Sequence, residues 1–377
     1  MDIRKLLRLA IFSSVVLGVT SIHNAAAAPA KIESPCDKDG PFSPRVDEDL
    51  LRNDLVVEPM ELPHVRGKRG IPEQEPEAER GACQDAQTGK TIIMPDSGPG
   101  SEKADYPGGD EGDPSLSRGR RDGAAPPFFL RAFVFGNEDR KLQSPTTSFP
   151  FRAVVKLEMK FANTPAGKAK GCSGSLIGGK HVLTAGHCVF DSAQGWATSI
   201  KVIPGLDGTI PPFDAQVAPF GAAFMVAKRA STGWVLNGNW PDDDWGLITL
   251  DKTFTVGSFG LLHPSDSFLD NTSACIIGYP GPPLGKAEAN QEFFDPGCGS
   301  IWAYGSKRVE LQMDLTNGNS GSGIYTFFNG KRAIFAIVST EFSPDVGSDY
   351  NAGARITKKR HDVIRQLQCQ DGTQSAC

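Results

Sequence analysis

Past residue 28 the chain has no continuous apolar run of the about 20 residues that a membrane-crossing helix requires, so it contains no candidate membrane anchor. Metal-ribbon spacing is also missing. None of the eight cysteines forms a C-x2-C pair and the six histidines are scattered, which leaves no ligand set for zinc and no sign of a cofactor. No basic patch interleaved with aromatics suggests nucleic-acid binding, and no internal repeat is visible. Tryptophan is absent before Trp196, and residues 29–127 are nearly devoid of aromatic side chains.

That early region is unusual in what it does have. Residues 31–113 carry 20 acidic and 10 basic side chains, whereas residues 122–377 carry 23 of each. Half of the 28 prolines fall in residues 29–127. So little apolar material cannot build a core of its own, and the composition predicts an extended or disordered region. Ahead of it, Arg4, Lys5 and Arg8, the apolar residues 9–22 and the small residues 25–28 read as an export signal. Eight cysteines agree with an oxidising compartment.

Beyond Phe149 the chain reads as short strands separated by Gly, Pro, Asn and Asp. Residues 151–157, 175–177, 181–183, 247–250, 274–279, 309–313, 323–328 and 333–338 are rich in strand formers, and Asn329-Gly330 is a hairpin-turn signal. One helix is expected near the end, with Thr357 as its cap and Ile356, Val363, Ile364 and Leu367 on one face. The reading is therefore all-β with one C-terminal helix.

Three short runs carry chemistry. Thr184-Ala185-Gly186-His187-Cys188 places a histidine at the end of an apolar strand, and an imidazole with a pKa near 6.5 suits proton transfer around neutrality. Asp242-Asp243-Asp244-Trp245-Gly246 sets a carboxylate at the head of another strand. Gly318-Asn319-Ser320-Gly321-Ser322 puts a hydroxyl in a glycine-rich turn, whose N–H groups can approach a substrate carbonyl closely. A serine hydroxyl is a poor nucleophile without a base in reach, which makes the combination informative. His181 and His263 read as surface or packed histidines, His361 falls on the terminal helix, and Asp242 and Asp243 read as solvated turn residues.

These runs resemble the three signatures of the trypsin-like serine proteases, in the same His, Asp, Ser order. Within that group the chain is similar to the secreted glutamyl endopeptidases, through Val134-Phe135-Gly136-Asn137-Glu138-Asp139-Arg140, Thr146-Thr147 and residues 149–155. The resemblance covers residues 134–368. It implies two antiparallel six-stranded β-barrels with the active site in the crevice between them, and it makes His187 the base, Asp244 its orienting carboxylate and Ser320 the nucleophile. The N–H groups of Gly318 and Ser320 would form the oxyanion hole, and Cys172 would pair with Cys188. Cys275 and Cys298, flanking a Gly/Pro-rich loop, are expected to pair as well. Cys36, Cys83, Cys369 and Cys377 admit three pairings.

The expected organisation is a signal over 1–28, an acidic propeptide over 29–131 and a protease domain over 132–377. Arg66-Gly67-Lys68-Arg69 and Arg118-Gly119-Arg120-Arg121 are paired-basic cleavage candidates, the second better placed, and the mature N-terminus is expected between Asp122 and Val134. The expected product is a secreted monomer acting on protein or peptide substrates, with no nucleic acid and no membrane partner. Two departures from the family bear on specificity. Asn319 stands where trypsin has the aspartate that pairs with a freed N-terminal amine, and residues 336–341 lack the histidine with which the glutamyl endopeptidases read a substrate carboxylate. Asp314, six residues before Ser320, matches the floor of the specificity pocket, with Val338, Ser339 and Glu341 along its wall. Carboxylates there favour Arg or Lys at P1, with Glu the alternative if Asp314 corresponds instead to a strand-end residue that points away. A non-catalytic binding module of the same fold and an esterase are the competing readings. A strand-like run after Ser320 disfavours the esterase elbow.

Overall fold

A computed structural model describes residues 47–51, 55–60, 62–67, 81–84, 90–93, 134–135, 138–208, 218–237, 241–281, 291–296, 298–344 and 350–371, all within one unit spanning 35–377. The signal, residues 118–121 and Cys36 and Cys377 lie outside the described residues.

The first barrel is built from β1 (Val154–Lys160), β2 (Lys168–Leu176), β3 (His181–Thr184), β4 (Ser199–Pro204), β5 (Ala223–Ser231) and β6 (Gly246–Leu250). Its order is β4-β1-β2-β3-β6-β5, closed by pairing of β4 with β5. The second consists of β7 (Ser273–Gly278), β8 (Gly299–Tyr304), β9 (Arg308–Leu311), β10 (Gly323–Phe328), β11 (Lys331–Pro344) and β12 (Tyr350–Arg355). It runs β7-β10-β11-β12-β9-β8 and closes from β8 back to β7. These are two closed six-stranded antiparallel β-barrels, as expected.

Period-two alternation explains the packing. In β1, Val155, Leu157 and Met159 enter the core, while Lys156, Glu158 and Lys160 take the opposite face and are buried there as well. Burial pushes the Lys156 ammonium down to about 8, because the charged form loses its water. The hairpin between β10 and β11 turns on Asn329 and Gly330 at φ of 50° and 75°, the left-handed pair that a two-residue turn demands. Helix α1 (Lys358–Gln370) starts where expected, the Thr357 hydroxyl accepting the Arg360 N–H at 3.2 Å, and buries Val363, Ile364 and Leu367. Just beyond it, Asp371 meets His181 Nε2 at 3.0 Å and the Arg229 guanidinium at 2.7 Å, with Thr249 donating as well. Burial alone would raise this carboxyl, but those hydrogen bonds and the Arg229 charge outweigh it and hold the carboxyl well below the usual range.

The described pieces of the acidic region are extended and pair with the barrels. Val56–Pro59 pairs in parallel with β2, His64–Gly67 in parallel with β11, and Gly81–Gln84 antiparallel with β5, with Thr91–Ile93 beyond it. Leu50, Leu55, Leu62 and Ala82 are buried. Among the described residues, Leu50 and Leu55 cluster with Ala169 of β2, Leu62 joins the core of the second barrel and Ala82 that of the first. They are spent on the two barrels, where a composition count cannot see them. Lys160–Asp49 at 2.5 Å and Lys168 and Lys170 on Glu58 add ion pairs. Among the described residues no helix is long and apolar enough to cross a membrane.

Candidate active site

His187 sits in the single helical turn Gly186–Cys188 that follows β3, and Asp244 in the turn that leads into β6; β3 and β6 are paired neighbours. That register brings Asp244 Oδ2 to 2.7 Å from His187 Nδ1, and Oδ1 accepts the His187 backbone N–H at 2.8 Å. A third donor, the Ser339 hydroxyl on β11, reaches Asp244 Oδ2 at 2.7 Å. Asp244 is fully buried, and three donors compensate the charge that burial would otherwise disfavour. The indole of Trp234 closes the other side of the imidazole, ring centroids 5.9 Å apart. Of Asp242 and Asp243, expected to be solvated, Asp243 is buried and Asp242 half-buried, and both are ion-paired instead. Asp242 meets Arg308 at 2.5 Å, and Asp243 meets Arg360 at 2.6 Å and Lys307 at 3.1 Å.

Ser320 is carried by the turn before β10. Ser173 on β2 clamps that turn: its hydroxyl donates to the Gly318 carbonyl at 2.8 Å and accepts the Tyr279 N–H, while its own N–H donates to the Ser320 carbonyl. Gly318 adopts φ +92°, and a Cβ there would lie 2.6 Å from the Tyr279 carbonyl, so only glycine fits. Cys172 and Cys188 form a disulfide behind His187, and Cys275 bonds Cys298. Sulfurs joined in this way offer no thiolates, although they lie beside the imidazole. Cys83 and Cys369 are disulfide-bonded too.

The upstream segment lies across this site. Met60 donates its N–H to Gly171 O on β2 at 2.7 Å and accepts, through its carbonyl, the Gly318 N–H at 3.0 Å. Leu62 N–H reaches Asn317 Oδ1, and the Pro63 carbonyl accepts both the Glu341 N–H at 3.1 Å and the Thr340 hydroxyl. Ser320 Oγ and His187 Nε2 are both buried, and neither has a hydrogen-bond partner among the described residues.

A family model described as Trypsin matches residues 140–359. The chain belongs to the trypsin family. Like the family's other enzymes it is a serine endopeptidase, near the glutamyl endopeptidase group. It is 29% identical over 244 residues to a Bacillus subtilis protein named extracellular metalloprotease, covering 62% of this chain and 68% of that one. It is also 29% identical over 250 residues to the glutamyl endopeptidase of Bacillus licheniformis, covering 64% and 70%. A solved structure of a Glu endopeptidase in complex with MPD superposes with a TM-score of 0.51 at 23% identity, over 63% of this chain and all of that one.

In this trypsin-family chain the expected pocket residues separate into different roles. Val338 exchanges backbone hydrogen bonds with Gly321 and Ser322, and Ser339 serves Asp244. Glu341 is buried beside Pro63. Asp314 accepts the Phe135 N–H at 2.8 Å on one oxygen and leaves the other buried without a hydrogen bond among the described residues; burial pushes its carboxyl up to about 6. Sequence reasoning missed Ser173, Trp234 and the Met60–Pro63 crossing, because each acts through contacts between distant parts of the chain.

Proposed function

We propose that this serine endopeptidase is exported, cleaves through an acyl-enzyme on Ser320, and is made as a zymogen whose upstream segment covers the site. The contact that carries the reading is the 2.7 Å pair of Asp244 with His187 Nδ1. It fixes the tautomer that leaves Nε2 to accept a proton, with Ser320 on the neighbouring turn. His187 takes the Ser320 proton as the hydroxyl attacks the scissile carbonyl. The N–H groups of Gly318 and Ser320 stabilise the oxyanion, and His187 then protonates the leaving amine. A donor of that kind is worth about 2.7–4 kcal/mol in the transition state.

The carbonyl of Met60 on Gly318 N–H supports the zymogen reading, because it takes the donor that the oxyanion needs. Cleavage between residues 121 and 134 followed by displacement of residues 56–67 frees it. Buried carboxylates at Asp314 and Glu341 support a basic P1 side chain. Export is supported by the disulfides and by the similarity to a protein named extracellular. The test is to treat the activated protein with a fluorophosphonate and with casein. Labelling of Ser320 and cleavage are expected, and both should vanish in Ser320→Ala; a folded sample that does neither ends the proposal.

A further inference from the structure

The turn that holds Ser320 is tied at two points to a cation supplied from a remote part of the chain. Asn319 Oδ1 accepts the Thr316 N–H at 3.1 Å, and the Asn319 N–H donates to Thr316 O at 3.0 Å, so these two residues close the turn on each other. Gly318 lies between them. Arg140 Nη1 then donates to Asn319 Oδ1 at 2.8 Å and to Thr316 Oγ1 at 3.2 Å, with Nη2 at 3.3 Å from the same hydroxyl. The guanidinium is itself fixed by a two-point pair with Glu138, at 2.7 Å from Nε and 2.5 Å from Nη2, and its side chain is only 4% exposed.

We propose that Arg140 is a positioning residue for catalysis: by clipping Thr316 and Asn319 together it sets the direction of the Gly318 N–H and the location of Ser320. A neutral amide at 319 cannot form an ion pair, yet its carbonyl oxygen accepts a charge-assisted hydrogen bond. The planar fork suits the task, since one rigid group reaches both ends of the turn while the carboxylate behind it holds the plane. The cation that orders this turn thus comes from within the folded body, and no new chain terminus has to reach Asn319. Arg140 touches no reacting atom and acts through the loop.

This inference rests on Ser320 being the nucleophile. The test uses the full chain, activated in the same way for every variant, with competent sites counted by fluorophosphonate titration. Arg140→Met keeps most of the apolar stem and removes the fork. Its kcat per titrated site is expected to fall about ten- to a hundred-fold with KM changed less than about threefold, since small displacements of reacting groups have costs of that size. Affinity for a peptide boronate, which mimics the oxyanion, should fall in parallel. Added guanidinium and the variant Arg140→Lys should each restore part of the rate. Glu138→Gln keeps Arg140 and frees its plane; a loss of about three- to tenfold is expected, which keeps the inference testable if Arg140→Met does not fold. A purely structural role would lower the count of titrated sites and leave kcat per site within twofold, and that result, in either variant, overturns the inference. Failure of the underlying reading looks different: the unaltered enzyme would not label, or Ser320→Ala would still cleave.

Discussion

Truncating Leu62 to alanine should open the covered site. Leu62 is only 5% exposed and packs into the core cluster of the second barrel, while Met60 packs against that of the first, so the crossing segment is seated on both. Leu62→Ala removes three carbon groups, each worth about 0.8 kcal/mol when buried, or about 2 to 3 kcal/mol of closure. While the open form is a minor population, its fraction rises by about thirty- to a hundred-and-fifty-fold. The readout is the rate at which a fluorophosphonate labels Ser320 in the uncut full chain, since labelling requires Gly318 N–H and Ser320 Oγ to be reachable. Leu51→Ala, at a position 58% exposed in the same region, is the control and should leave the rate unchanged. An uncut, folded Leu62→Ala chain that labels within twofold of the unaltered one would refute the reasoning. So would an unaltered uncut chain that labels as fast as the activated enzyme.

The Met60–Glu61 bond should survive incubation of the full chain, because Ser320 Oγ and His187 Nε2 are not hydrogen-bonded to each other while Met60 is docked; intact-mass measurement checks this. Ser339→Ala removes a 2.7 Å donor from Asp244 and should lower kcat about tenfold, as steady-state kinetics on the activated chain would report. Asp371→Asn should destabilise the fold by about 3–5 kcal/mol at pH 7, through loss of the buried charge opposite Arg229. The native carboxyl lies below its unfolded value, so its contribution is present above about pH 4 and is lost as pH falls further; denaturant melts should show the gap between the two proteins narrowing toward pH 3. If Asp314 reads a basic P1 residue, KM for Arg substrates should fall as pH rises through about 6, where that carboxyl becomes charged, and Asp314→Ser should abolish the trend. Strong cleavage after Glu that is unaffected by Asp314→Ser would remove Asp314 from the pocket.

Much of the fold was legible because its signals are local. Asn329-Gly330, the Thr357 cap and the strand-former runs of β1, β6 and β11 each act within a few residues. The turns holding His187, Asp244 and Ser320 were legible for the same reason. What was not legible depends on partners far apart in sequence: Ser339 meets Asp244 across 95 residues and Arg140 meets Asn319 across 179. Asp242 and Asp243 look solvent-bound in a run of three acids, and only the positions of Arg308 and Arg360 explain their burial. Composition says nothing of where the acidic region's apolar residues go, because Leu62 joins the core of the second barrel while Leu50 and Leu55 cluster with Ala169 of β2.

Strand β5 binds both distal parts of the chain. Its Arg229 side chain grips Asp371 after the C-terminal helix, and its backbone from Arg229 to Ser231 pairs with residues 81–83. A cut between residues 121 and 134 severs no contact of that ladder. Cutting the chain and vacating the cleft are therefore separate events. A nicked molecule retains the upstream piece as a second polypeptide, paired with β5, until residues 56–67 peel from the two barrels. If the piece departs altogether, the backbone donors and acceptors of β5 that faced it become an open sheet edge, able to take an extended strand from another chain.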